Sequence, residues 1–203
     1  RSRGLGDVYK RQFNVAATLV LLPFSNGLVK LACLTLPTHE DVKEMSETDK
    51  TLSLLDPRFL DTPAYAVEQS RQVASVMADK SRKAMDLAME LLQGYDEAKA
   101  EQVAQMETDV DRFEDELGTY LVKLSSRQLS GKDSETLNTI LHCIGDFERI
   151  SDHARNVKEA AQEMYDKKLD FSDKAQEELK VFERAVHDIL DITMNSFIKG
   201  DLN

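Results

Sequence analysis

The 203-residue chain carries 26 Lys/Arg against 37 Asp/Glu, a net charge of −11, and the imbalance is not spread evenly. Residues 1–37 hold five basic side chains and one Asp, a balance of +4, and the remainder holds 21 and 36, a balance of −15. Phosphate backbones are bound by displacing counterions with Lys and Arg, so the acidic part excludes nucleic acid as a partner and suits cations instead. Two cysteines, Cys33 and Cys143, have neither metal-type spacing nor the count of a secreted disulfide framework, which points to a reducing compartment.

Residues 1–12 (RSRGLGDVYKRQ) show no apolar period, cap or turn logic. They look like a translated sequencing adapter, so they are expected to be artificial and the reading frame to open partway into a longer gene. From Phe13 to Val29 no residue is charged, and after Lys30 the apolar run resumes to Leu36 before Pro37. A spanning helix needs roughly 17–25 mostly apolar residues, so 13–37 is expected to be a transmembrane helix. A signal peptide would borrow its basic start from the suspected adapter, and Lys30 sits where a lipoprotein site at Cys33 would need an apolar residue. A buried soluble helix would find no apolar partner downstream.

Residues 38–61 are polar and turn-rich, and read as a linker or docking strap. Asp61-Thr62-Pro63 then places a capping side chain ahead of a first-turn proline, and predicts a helix to Gln93, stopped at Gly94. Its apolar stripe is Val67, Ala74, Met77, Ala84, Ala88, Leu91 and Leu92. A second helix begins near Asp96, with Val103, Met106, Val110, Phe113, Leu117, Tyr120 and Leu124 alternating by three and four, the seam of a bundle. A third opens at Asp133-Ser134 and runs to about Asp166, with Leu137, Ile140, Ile144, Phe147, Ala154, Val157, Ala161 and Met164 inward and Ser151 intruding. A fourth runs from Ser172-Asp173 to about Lys199, with Leu179, Phe182, Val186, Ile189 and Phe197 inward. Each is about 30 residues, or about 45 Å, and the short connections make neighbours antiparallel. The fold class is all-α.

Two carboxylate pairs share one register. Glu107 directly follows the seam residue Met106, with Asp111 one turn on, and Glu148 directly follows Phe147, with Asp152 one turn on. Like charges at i and i+4 repel on an isolated helix. Two such pairs on adjacent helices would gather four carboxylates, which a hard cation relieves. Solvated surface charge paired with Arg112, Arg149 and Arg155 is the plainer alternative for either pair alone. No Glu stands three residues before His142, His153 or His187, so the di-iron spacing is missing, and no catalytic set appears. The chain is not expected to be an enzyme.

The stretch Asp146-Phe147-Glu148-Arg149-Ile150-Ser151-Asp152-His153-Ala154-Arg155-Asn156-Val157 resembles the "ERIGDHA.NI" signature of PhoU-type phosphate-regulatory domains. The segment Phe13 to Phe24 resembles the last transmembrane helix of bacterial sodium/phosphate cotransporters, some of which carry a PhoU-like domain at the C-terminal end. The resemblance implies the C-terminal portion of a sodium-dependent inorganic phosphate transporter in the bacterial inner membrane, its helical domain cytoplasmic. Sodium and phosphate would be handled by a transport core upstream. The alternative is a membrane-tethered PhoU-type signalling adaptor without transport. The family's carboxylate motifs bind multinuclear clusters, which implies Glu107, Asp111, Glu148 and Asp152 as ligands of a divalent or iron-type metal cluster, with Asn156 a weaker neighbour. Ser151 departs from the family's usual Gly. The implied domains are a three-helix repeat over 62–168 and the first helix of a truncated second repeat over 172–203. An oligomer is compatible with the sequence. An intact copy of the gene is expected to lack RSRGLGDVYKRQ and to encode further apolar spans upstream of Phe13; finding that leader in genomic DNA would refute the adapter reading.

Overall fold

The computed structural model describes residues 45–199, and these are all-α. The expected leader at 1–12, the membrane segment at 13–37 and Cys33 lie outside them. Among the described residues no helix is long and apolar enough to cross a membrane. A short helix α1 (Glu47–Leu52) and a 3-10 turn (Pro57–Asp61) lead into four long helices: α2 (Pro63–Leu91), α3 (Glu97–Ser125), α4 (Gly131–Lys167) and α5 (Asp173–Lys199).

Each boundary has a local cause. Pro63 opens α2, whose N-cap Thr62 makes no side-chain hydrogen bond, so the proline rather than a hydroxyl cap sets the start. Asp96 caps α3 by accepting from the Lys99 amide, as its position suggests. The cap of α4 is Ser130, which accepts from the Asp133 amide and starts that helix at Gly131, a little earlier than Asp133-Ser134. At its far end Lys168 turns left-handed at φ 53°, and the amides of Lys168 and Leu169 close back on Tyr165 and Met164.

The chain direction follows from which halves meet. One buried cluster joins the N-terminal half of α2 (Val73, Met77), the C-terminal half of α3 (Val110, Phe113, Leu117), the N-terminal half of α4 (Ile140, Phe147) and the C-terminal part of α5 (Leu190, Met194, Phe197). A second joins Ala84 and Ala88 of α2, Val103 of α3, and Ala154 and Ala161 of α4. Successive helices are therefore antiparallel, as the short connections require. α2 packs against α3, α4 and α5.

Of the two readings of the segment before Pro63, linker or docking strap, the described part fits the strap: Leu52, Leu55 and Leu60 are buried in the first cluster. Lys80 of α2 holds this strap to α3, donating to Thr48 Oγ1 at 3.2 Å and to Asp109 at 2.5 Å while its ammonium lies 5.9 Å from the Phe113 ring centroid. The inward stripe expected of α5 is corrected by its burial pattern: it is Leu190, Met194 and Phe197, and Phe182 and Ile189 are 60% and 64% exposed. α5 carries apolar residues on two faces. The face that docks is the one whose flank also finds polar partners, with His187 3.0 Å from Asp86 and Gln93 2.5 Å from Glu183. Phe197 closes it edge-on to Phe147, centroids 5.0 Å apart.

Phe113 is fully buried, so Phe113→Ala is expected to cost about 3–5 kcal/mol in chemical denaturation. Exposed Phe182→Ala should shift stability by no more than about 0.5 kcal/mol; a loss there as large as at Phe113 would show that α5 docks by its other face.

Candidate functional site

Between the two apolar clusters lies a polar layer, with one buried residue from each of three helices: Ser81 of α2, Glu107 of α3 and Ser151 of α4. Ser81 Oγ donates to the Met77 carbonyl at 2.9 Å within its own helix. Ser151 Oγ is fully buried and has no partner. Glu107 is the unexpected member. The alternating seam predicts Met106 as the inward tooth at this turn, yet Met106 is only half-buried and Glu107 is 8% exposed. The carboxylate itself occupies the core position.

A buried carboxylate is tolerated when it is paired. Arg155 supplies the partner across the helix interface, with Nη1 2.5 Å from Glu107 Oε1. The two side chains are unequally placed: that of Glu107 is 11% exposed, that of Arg155 49%. The other two arginines considered as partners go elsewhere, Arg112 to Asp49 and Glu116, and Arg149 to Asp146.

Around this pair the remaining carboxylates gather. Residues 148, 151, 152 and 155 share one face of α4. Asp111 stands at the surface of α3, but partial loss of water pushes its carboxyl above the ordinary range, and Glu107 and Asp152 push it further while Arg155 opposes them. Burial likewise raises Glu148, followed by the charges of Asp152, Asp111 and Glu114. Each helix thus feels the other's acids: Asp111 of α3 stands near Asp152 and Glu148 of α4, and Glu107 reaches this group through Asp111 on its own helix. Asn156 is exposed and turned farther round α4. His142 and His153 are exposed too.

Carboxylate oxygens are the donors hard cations take, and the orphaned Ser151 hydroxyl lies on the same face. The donor chemistry therefore fits a divalent or iron-type metal. The side chains are not drawn into a closed cage, however: among the described residues no three Asp, Glu, His or Cys converge closely enough to hold one ion. Arg155 is the cation that touches the site.

Residues 74–161 match the family model of the PhoU domain. The matched span contains all of the polar layer and all four carboxylates, and the chain carries a PhoU-like helical bundle there. No curated protein and no solved structure matches the chain.

Raised carboxyl values carry a definite sign. A group that holds its proton more tightly folded than unfolded favours folding below its unfolded value, and that advantage is lost as pH rises through the folded value. Asp111 and Glu148 are both of this kind. In chelator-treated protein, Glu148→Gln is expected to raise the urea midpoint at pH 7 and to lose that advantage below roughly pH 4. An equal change at both pH values would mean that the cluster exerts no repulsion.

Proposed function

We propose that this chain is the C-terminal part of a sodium-dependent phosphate transporter, and that its helical bundle regulates phosphate homeostasis from the cytoplasmic side of the membrane. The match of residues 74–161 to the PhoU domain carries the phosphate-regulatory part of this reading. The uncharged run from Phe13 to Val29 supports attachment to a membrane core.

Within the bundle, Glu107, Asp111, Glu148 and Asp152 would hold a divalent or iron-type metal, and the mutual pressure of their charges supports that role. When bound, such an ion supplies the positive charge that four neighbouring carboxylates need. The protein's own part is positional. The seam of α3 fixes Glu107 at the interface, the buried Phe147 fixes its neighbour Glu148, and Asp111 and Asp152 follow one turn later on their helices. A bundle whose helix contacts change with occupancy is suited to report to the membrane core to which it is joined.

Full-length protein should restore phosphate uptake to a transport-deficient bacterium only with sodium present, and removal of residues 62–199 should abolish the response of uptake to phosphate supply. Uptake indifferent to sodium would overturn the transport reading; intact phosphate signalling without uptake is the outcome expected of a tethered adaptor. Metal content of the full chain in detergent should fall to background in the Glu107→Ala/Glu148→Ala variant. Equal content in both proteins would reduce the four carboxylates to surface charge.

A further inference from the structure

We propose that Arg155 is a built-in competitor for the cation at this site: its guanidinium sits where positive charge is required and must swing away from Glu107 for an ion to load. The inference rests on the metal-binding reading above and adds a specific gate to it.

The first support is exclusivity. Among the described residues, the one ion pair made by any of the four carboxylates is Arg155 to Glu107. Asp111, Glu148 and Asp152 stand close enough to disturb one another, yet none has a basic partner of its own. Arg155 is thus the cation that balances the group, and it does so at the most buried member.

The second support is asymmetry. Glu107 is fixed in the core seam between Val103 and Val110, both fully buried, and cannot withdraw without opening the interface. Arg155 is half in water and can. It also has somewhere to go: Glu159, one turn further along α4, lies 3.4 Å from its Nε and is itself 55% exposed. The guanidinium can release Glu107 while keeping Glu159, so the switch exchanges one contact without stranding a charge.

The third support is the shape of the site as it stands. The carboxylates crowd electrostatically but do not form a cage. With Arg155 seated, Glu107 is turned toward the guanidinium. Its departure frees the buried carboxylate that acts on Asp111, and Ser151, whose hydroxyl has no partner, lies on the α4 face that carries Glu148, Asp152 and Arg155.

The test is a titration of the full chain in detergent with MnCl2, in phosphate-free buffer, followed by calorimetry, comparing wild type, Arg155→Gln, Arg155→Lys and Glu107→Gln/Arg155→Gln. Removing the competing charge should tighten binding by about tenfold or more. Arg155→Lys should stay near wild type, and the double variant should lose the gain. With MgCl2, the Arg155 side-chain Nε–H resonance, assigned by its loss in Arg155→Gln, should shift on loading. If wild type binds and Arg155→Gln binds no tighter, the gate is overturned and the metal site stands. If neither binds, the metal reading falls and the gate falls with it. Far-ultraviolet dichroism guards against unfolding, and the Glu107→Gln/Arg155→Gln variant, which leaves no buried charge unpaired, serves as the folded reference.

Discussion

A carboxylate at a core position of α3 governs how this bundle is arranged. Glu107 takes the place that a methionine or leucine would fill, and the ion it forms there needs an opposite charge within reach. That need ties α3 to α4 in one register, because Arg155 meets Glu107 only when Val103 faces the Ala154–Ala161 half and Val110 faces the Phe147 half. The interior divides accordingly. On one side lie Met77, Phe113, Leu117 and Ile140, filled by large side chains. On the other, Ala84, Ala88, Ala154 and Ala161 let helices approach on small ones. Ser81, Glu107 and Ser151 mark the boundary, too polar to belong to either half.

Much of this was legible beforehand. Lengths and breaks of the four long helices followed from Pro63, Gly94, Asp96 and the Ser130-Gly131 pair, since caps and turns act through the residues that make them. The seam of α3 was readable nearly tooth by tooth, because three-four alternation leaves little freedom when every tooth is apolar. It failed at one turn, and the failure is instructive. Periodicity counts apolar residues, so it chose Met106, and only a charged partner on another helix could make Glu107 the inward residue. Nothing local to α3 announces Arg155, forty-eight positions away.

The same limit explains α5. Its sequence offers two apolar stripes, and a single helix holds no information about which one will be covered. His187 toward Asp86 and Phe197 toward Phe147 decide it, and both depend on tertiary neighbours. The strap before Pro63 depends on tertiary neighbours in the same way. Leu52, Leu55 and Leu60 are spaced too irregularly to form a periodic face, yet each finds the core once Lys80 holds the Thr48 hydroxyl and Tyr120 donates to the Asp56 carbonyl at 3.2 Å. The carboxylate register, by contrast, was visible because it repeats. The repeat is not kept in the packing, however: Glu107 takes the core position in place of Met106, whereas Glu148 flanks the buried Phe147.

The one-sided docking of α5 has a consequence for motion. α2, α3 and α4 each touch the other two along their length, whereas α5 leans chiefly on α2, with Val181, Phe182, Ile189 and Ile192 facing outward. Detaching it would uncover Leu190, Met194 and Phe197 while leaving the polar layer and the small-residue half intact. Stability in such a molecule is graded rather than uniform. α5 can open as a unit while the three-helix body, with its ion pair, stays folded, so the described chain has a natural seam for partial unfolding that does not pass through the carboxylates.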